Sequence, residues 1–315
     1  MPFTLSHPAA VLPLMRRPFV PAALVAGAMA PDVPYFLAVV GVSETSAQDW
    51  YGPLLNATRT HSPGVGLLVA LPCALALVVA HRMLRAPVTA LLPSGLGLPE
   101  PERITGARAG ARYTMWLLVS ALIGIATHLA WDSFTHGDGF LVTHVGPLRA
   151  PVLGGLTAAR LLQYVSTALG LAAVGWHLWR RRGRLRAHGG TDTVARLGPV
   201  ARWSVVALLI AAPVLGGAFH ARDDFHAHRQ VTEVDYSRPT TVDLGGGASE
   251  TTYPSRTVRA PWGSLAEGVL TGVAKRAGAS FAVVLVLYAV TWRITALSRR
   301  SVLSSGARDA STRGT

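Results

Sequence analysis

Long apolar runs alternate with short polar segments along most of the chain. A helix needs about 20 predominantly apolar residues to span the hydrocarbon core of a bilayer. Five runs are long enough, at residues 64–84, 113–131, 161–179, 200–219 and 278–297. This pattern predicts an all-α, polytopic helical membrane protein with five transmembrane helices.

A further apolar stretch, residues 19–42, is interrupted by residues that disfavour a continuous helix. Pro21, Pro31 and Pro34 lie within it, and Asp32 stands between two of these prolines. Proline removes a backbone donor and breaks a helix, and irregular backbone at membrane depth is tolerated only where it is packed inside protein. We therefore expect a broken or re-entrant N-terminal segment here.

The composition agrees with a membrane protein. Of the 315 residues, 50% are hydrophobic and 14% are charged, whereas soluble domains carry about 25% charged residues. This excludes a typical cytosolic enzyme and a disordered protein, and the single cysteine, Cys73, excludes a disulfide framework and a cysteine-based zinc site. We expect residues 1–300 to form one integral membrane domain and residues 301–315, rich in serine and arginine, to be a disordered tail.

The net charge of +13 comes almost entirely from arginine, since Lys275 is the only lysine. Arginine is dense in residues 85–112, in residues 180–202 and after Trp292, and these segments share one side if the five spans alternate. The positive-inside rule places that side, with the C-terminus, in the cytoplasm of a cell (plasma or inner) membrane. We expect the lipid bilayer as partner and no nucleic acid. The outer loop 221–277 fits either a small β-hairpin or an irregular loop.

Histidine and aspartate collect at the outer ends of two predicted spans. The pattern His-x3-Asp-x3-His occurs twice, as His128, Asp132 and His136 and as His220, Asp224 and His228. Residues four apart share a helix face, and imidazole with carboxylate is a ligand set for zinc and similar ions. The alternative is that polar residues collect where a span leaves the membrane, and the charged neighbours of the second copy fit such a solvated face.

Three other residues fit the same interpretation, and a fourth is a candidate to bind substrate. His7 precedes an apolar stretch, His61 lies at the outer end of the first span, and Asp32 lies inside the broken segment. An ionisable group inside a membrane segment is costly and points to function, although Asp32 and His61 also fit turn or helix-cap roles. Arg59, two residues before His61, is a candidate to bind a substrate phosphate, the alternative being a surface arginine.

Motifs throughout the chain resemble the bacterial membrane family numbered 4184 among the domains of unknown function. They are Met1-Pro-Phe-Thr-Leu-Ser-His-Pro, Ala30-Pro-Asp, Thr60-His-Ser and His128-x-x-Trp-Asp-x-Phe-Thr-His. That family resembles, more distantly, the inner-membrane metal-dependent hydrolases. Beyond those it is similar to the zinc-dependent phospholipases C and the single-strand-specific zinc nucleases.

The resemblance implies a cluster of one to three zinc ions. Carried over residue by residue, the ligands fall on His7, Asp32, His61, His128 and Asp132, with His136 as a further histidine and His220 and Asp224 as a second pair. Asp32 and Asp132 are then expected to be catalytic, bridging metals or orienting the nucleophile. The soluble relatives also use the amine of a processed N-terminal residue, whereas no cleavage site is visible after Met1-Pro2.

Together these features predict a zinc-dependent hydrolase that acts on a phosphodiester or phospholipid-like substrate at the outer membrane face. A non-catalytic membrane protein with a structural metal site is the alternative. A metal permease fits less well, because few polar residues lie deep in the predicted spans. One topological condition follows: His7 and His61 can share a metal only if residues 19–42 do not cross the membrane completely.

Overall fold

The computed structural model describes residues 3–37, 42, 49, 51–62, 64–93, 96, 98, 104–154, 156–187, 196–235, 237–245 and 248–312. The chain divides into two compact units, one formed by Met1–Ser204 with Val286–Thr315 and the other by Val205–Leu285. Within the described residues, five helices are long and apolar enough to cross a membrane, at Val65–Leu91, Ala107–His144, Ala158–Gly183, Pro199–His228 and Trp262–Ala296. These helices confirm the five predicted spans and the all-α polytopic fold.

The elements follow one another in a simple order. The N-terminal part contains a 3-10 helix (Thr4–Leu14), α1 (Pro21–Met29), a 3-10 turn (Ala30–Asp32), α2 (Val33–Leu37), α3 (Gly52–Leu55) and α4 (Ala57–Thr60). The middle contains α5 (Val65–Leu91), α6 (Ala107–Thr135), α7 (Phe140–His144), α8 (Gly146–Arg149), the paired strands β1 (Pro151–Leu153) and β2 (Leu156–Thr157), and α9 (Ala158–Ala187). The remainder contains α10 (Pro199–His228), β3 (Gln230–Val234), β4 (Thr240–Gly245), β5 (Ala248–Thr252), β6 (Ser255–Arg259) and α11 (Trp262–Thr312).

The N-terminal 3-10 helix runs along α6 from the C-terminal end of α6 toward its N-terminal part. At the start of this course, His7 Nε2 lies 3.6 Å from Asp132 Oδ1. At its end, Phe19 packs edge-to-face on Trp116, with 5.6 Å between the ring centroids. The 16 positions between Trp116 and Asp132 correspond to about 24 Å of helix. The segment from His7 to Phe19, which includes most of the 3-10 helix, therefore follows α6 for more than half of its 29 residues.

Helix α1 then returns along α6 to the end from which the chain started. The two backbones touch where they cross: a side chain at Gly27 would overlap the carbonyl group of Ala121, and one at Gly124 would overlap that of Leu24. Small residues of this kind allow helices to approach closely. The 3-10 helix and α1 thus form a hairpin, which we call the N-terminal hairpin, and the chain enters and leaves at the same end of α6.

The prolines break the apolar segment where the sequence predicts. Helix α1 ends at Met29, the turn Ala30–Asp32 follows, and the described part of α2 is Val33–Leu37. Residues 38–41 of the predicted segment lie outside the described residues. The hairpin packs against α5 and α6 through a core of mostly small side chains: Ala23, Ala26, Ala30, Ala70, Cys73, Ala74, Val78, Ala121 and Ile125. Cys73 is a buried core residue, as its apolar surroundings in the sequence suggest.

The described residues of the segment 221–277 include four short strands in the second unit. Strand β3 pairs antiparallel with β6, and β4 pairs antiparallel with β5. The sequence was compatible with either a small β-hairpin or an irregular loop in this segment, and the structure has two antiparallel strand pairs there. Farther on, α11 continues as a helix through residues 301–312, part of the tail for which the sequence predicts disorder.

Candidate metal centre

Six predicted ligand residues meet at one end of the N-terminal hairpin, and we call them the His/Asp cluster: His7, Asp32, His61, His128, Asp132 and His136. The 3-10 helix provides His7, the turn after α1 provides Asp32, the end of α4 provides His61, and α6 with its C-cap provides the other three. Asp32 and His128 have no exposed surface, and Asp132 is 6% exposed. Burying two carboxylates requires a compensating positive charge or hydrogen-bond donors.

Asp132 lies at the centre of the cluster. Its Oδ2 atom is 3.1 Å from His128 Nε2 and 3.5 Å from His61 Nε2. Its Oδ1 atom is 3.6 Å from His7 Nε2 and 3.5 Å from His136 Nδ1. The two carboxylate oxygens therefore face different pairs of histidines.

Asp32 approaches the same point from the other side. Its Oδ1 atom is 3.3 Å from His61 Nε2 and 3.6 Å from His128 Nε2. Among the described residues, two groups of three ligand atoms lie within 4.8 Å of one another, namely His7 with His128 and Asp132, and Asp32 with His61 and His128. His128 belongs to both groups, so the cluster is one continuous set of ligands.

Backbone carbonyl groups determine which ring nitrogen of two histidines faces the carboxylates. His128 Nδ1 is 2.8 Å from the carbonyl oxygen of Ala28, and His61 Nδ1 is 2.8 Å from that of Ala57. A carbonyl oxygen only accepts hydrogen bonds, so each Nδ1 carries the hydrogen, and in a neutral imidazole the other nitrogen then has a lone pair. When both rings are neutral, the two Nε2 lone pairs therefore point toward Asp32 and Asp132. A hydrogen bond from the second ring nitrogen to a carbonyl is also typical of metal-bound histidine.

Five polar atoms of the cluster have no hydrogen bond. Within the described structure, His7 Nε2, both carboxylate oxygens of Asp32 and both carboxylate oxygens of Asp132 are buried and without a hydrogen-bond partner. Buried polar atoms nearly always have one. Nitrogen and oxygen donors in this number fit zinc or a similar divalent cation.

Burial and neighbouring charges shift the pKa of His7 and Asp32, which both lie outside the long helices. Burial and the nearby His128 lower the pKa of His7 to about 4, so its imidazole is neutral at neutral pH. Burial alone would raise the pKa of Asp32, but interactions with His128, His61 and His7 hold it below its ordinary value. His7 and Asp32 are thus in the protonation states that ligate metals.

Thr60 connects two parts of the cluster, a role that sequence reasoning missed. Its fully buried hydroxyl donates to the carbonyl of Pro31 at 2.8 Å and lies 3.2 Å from His61 Nδ1. Thr60 thereby joins the turn that carries Asp32 to the helix that carries His61. The sequence feature that could have identified Thr60 is its position directly before His61 in the motif Thr60-His-Ser.

Two cavities flank the cluster. The first, of about 630 Å³, is lined by His61, Asp132 and His136 and also by polar and apolar side chains, among them Thr58, Ser133, Asp138, Leu67, Leu129 and Phe140. The second, of about 440 Å³, borders His7 and is otherwise mainly apolar, with Trp131, Leu162, Val165 and Leu169 in its wall. We call them the polar cavity and the apolar cavity. Ligand atoms of the cluster are therefore reachable from two sides.

Three predicted site residues lie elsewhere. Arg59 has an exposed side chain and does not line either cavity, and its role in substrate binding stays a prediction. His220 and Asp224 belong to the second unit, where Asp224 forms an ion pair with Arg276 and His220 Nδ1 lies 3.4 Å from Asp223 Oδ2. Neither residue is a member of the two three-ligand groups found among the described residues.

Comparison with known proteins identifies the family to which the chain belongs. No curated protein and no solved structure matches the chain. The family model for Domain of unknown function (DUF4184) matches residues 1–242, a range that contains the whole His/Asp cluster. Since this match covers more than half of the 315 residues, the chain belongs to the DUF4184 family of proteins.

Proposed function

We propose that this protein is a membrane-embedded, zinc-dependent hydrolase that cleaves a phosphodiester or phospholipid-like substrate at the outer face of the membrane. One observation carries the proposal: two buried carboxylates and the lone pairs of facing imidazoles converge without a hydrogen-bond donor between them. Such an arrangement is electrostatically unfavourable unless a cation lies among the ligands.

The geometry of Asp132 suits a pair of ions better than one. Its Oδ2 atom faces His61 and His128, beside which Asp32 also lies, and its Oδ1 atom faces His7 and His136. Asp132 would thus bridge the two sets, and Asp32 would complete the first. Zinc ions bound in such a site activate a water molecule and stabilise the negative charge that develops on a phosphodiester.

The chain's own residues supply access and orientation. The side chains of His61 and His136 are 18% and 22% exposed, and both line the polar cavity. A phosphate group entering that cavity reaches Asp132 and these two histidines without displacing the core. A structural zinc site is typically closed by four protein ligands, whereas a catalytic one keeps an open position, so this access favours catalysis.

The cavities also support an amphiphilic substrate. The polar cavity is lined by Ser133 and Asp138 as well as by Leu67 and Phe140, while the mainly apolar cavity adjoins His7. A lipid-linked phosphodiester has this combination of a charged group and apolar chains. The positive-inside rule supports an outer location, because Arg108 and Arg112 lie at the opposite end of α6 from the cluster.

A structural metal site is the second candidate. The ligands come from four separate segments, so a bound ion would hold the N-terminal hairpin, α4 and α6 together. In that case zinc would be present and would stabilise the fold, but the purified protein would hydrolyse no phosphodiester.

The test is the zinc content of detergent-purified protein, measured by plasma mass spectrometry for wild type, Asp132→Ala and Asp223→Ala. Asp223 is an exposed aspartate of the second unit and serves as the matched control. We expect about two zinc ions per wild-type chain, loss in Asp132→Ala and retention in the control, together with wild-type hydrolysis of bis-p-nitrophenyl phosphate or a phospholipid. Folded wild-type protein purified without chelator and containing no zinc would overturn the proposal.

A further inference from the structure

A second polar cavity lies in the first unit, at the opposite end of α6 from the His/Asp cluster. Its volume is about 760 Å³, and we call it the arginine cavity. The 16 positions between Arg112, which lines it, and His128 correspond to about 24 Å along α6. The two sites are therefore separate.

Four arginines from three segments line this cavity. Arg16 and Arg17 lie at the tip of the N-terminal hairpin, Arg112 lies on α6, and Arg181 lies on α9. The described residues of its lining include no aspartate or glutamate. Arg16, Arg112 and Arg181 bring three like charges from three segments to one concave space, and an anion bound between them reduces their mutual repulsion.

Aromatic side chains complete the wall. Phe19, Tyr113 and Trp116 all line the cavity, and Arg82 approaches Tyr113 from outside it, with its guanidinium 5.4 Å from the ring centroid. Tyrosine and tryptophan are enriched where a membrane protein meets the headgroup region. The cavity thus combines phosphate-binding groups with the aromatic surroundings of a membrane interface.

We propose that the arginine cavity binds a phosphate group, carried by the headgroup of an anionic phospholipid or present as free phosphate. Guanidinium groups form paired, charge-assisted hydrogen bonds to phosphate oxygens, and basic pockets between transmembrane helices on the cytoplasmic side bind anionic headgroups. The proposal rests on these arginines alone and does not depend on a metal or on hydrolysis at the His/Asp cluster.

The bound phosphate also has a structural consequence. The N-terminal hairpin contributes Arg16 and Arg17 to the arginine cavity, and it carries His7 and Asp32 at its other end. A phosphate held by hairpin, α6 and α9 together would anchor the hairpin tip. Binding is therefore expected to raise the thermal stability of the full chain, by linkage between ligand binding and folding.

The experiment uses the full-length protein in phosphatidylcholine nanodiscs. One arm titrates a short-chain fluorescent phosphatidylglycerol, and the other titrates inorganic phosphate by calorimetry. The test variant, Arg112→Gln/Arg181→Gln, removes two arginines that line the cavity. The control variant, Arg108→Gln/Arg180→Gln, removes one arginine from each of the same two helices, and neither of these arginines lines the cavity. The two double variants carry the same net charge.

We expect the cavity variant to bind about tenfold more weakly or worse, since it loses charge-assisted contacts, and the control to stay close to wild type. Loss in the phosphatidylglycerol arm supports a lipid headgroup as the source, and loss only in the inorganic phosphate arm supports a soluble phosphate. No binding in either arm, or equal weakening in both double variants, would overturn the proposal. A single gel-filtration peak and a cooperative thermal unfolding transition in the cavity variant confirm that it is folded.

Discussion

His61 Nε2 and His128 Nε2 lie 3.3 Å apart, although each ring donates its Nδ1 hydrogen to a backbone carbonyl. The two lone pairs therefore face each other as well as the carboxylates of Asp32 and Asp132. A proton on one of the rings or a bound cation between them would relieve this unfavourable contact, and the relationship leads to the first predictions below.

Replacing His128 with alanine should abolish both zinc binding and hydrolysis, because His128 belongs to both three-ligand groups. The matched control is His144→Ala, which removes an exposed histidine just beyond the same helix. Zinc content by mass spectrometry and phosphodiesterase assays check this. Equal zinc in wild type and His128→Ala would contradict the assignment of the site.

Replacing Asp132 with asparagine should have opposite effects on stability with and without metal. In zinc-loaded protein the variant should melt lower than wild type, because a bridging carboxylate is lost. In chelator-treated protein it should melt higher, because one buried charge is removed and the amide can donate to a facing His Nε2, a contact that contributes about 1 kcal/mol. Thermal unfolding in detergent, with and without EDTA, measures both, and a lower melting temperature in both conditions would count against the metal site.

Replacing Thr60 with valine should weaken zinc binding without removing a ligand. The hydroxyl positions the Asp32 turn against α4, and losing such an outer partner typically reduces metal affinity by about 10–100-fold. Competition with a chromogenic chelator measures the affinity. Thr60→Ser keeps the hydroxyl and should restore most of it, and a valine variant with wild-type affinity would show that the contact has no positioning role.

Replacing Gly124 with alanine should destabilise the N-terminal hairpin. The added methyl group would overlap the carbonyl of Leu24, and overpacking of this kind costs about 1–3 kcal/mol. Gly110→Ala on the same helix has open space around it and should be neutral or stabilising by up to about 1 kcal/mol. Chemical unfolding compares the two variants; similar stabilities would mean that α1 and α6 do not pack as closely as described.

Replacing His220 with alanine should leave zinc content unchanged. Arg276 already neutralises Asp224, and His220 is half exposed beside Asp223, so the second His-x3-Asp pair has no convergent third ligand among the described residues. Zinc analysis of His220→Ala beside His128→Ala provides the comparison. Loss of zinc from both variants would restore the second pair as a metal site, as the sequence pattern first suggested.

The sequence determined which residues are chemically available and which segments form the long helices. Apolar length predicted five spans because each backbone group in a bilayer must be hydrogen-bonded within its own helix. The prolines around Asp32 predicted the break because they remove amide donors. The i, i+4 spacing of His128 and Asp132 predicted their shared face, since a helix repeats every 3.6 residues. These inferences depend only on local geometry.

Only the tertiary structure decided which distant segments meet. The crossing of α1 and α6 at Gly27 and Gly124 turns the broken segment into a hairpin that follows α6 and returns, which brings His7 and His61 to one carboxylate. The same crossing places the carbonyl of Ala28 beside His128 and thereby selects its tautomer. The surroundings of the two similar motifs also differ, because Asp224 forms an ion pair with Arg276 whereas Asp132 faces imidazole rings. Such choices depend on packing between residues far apart in the chain, which a single sequence does not encode as a readable pattern.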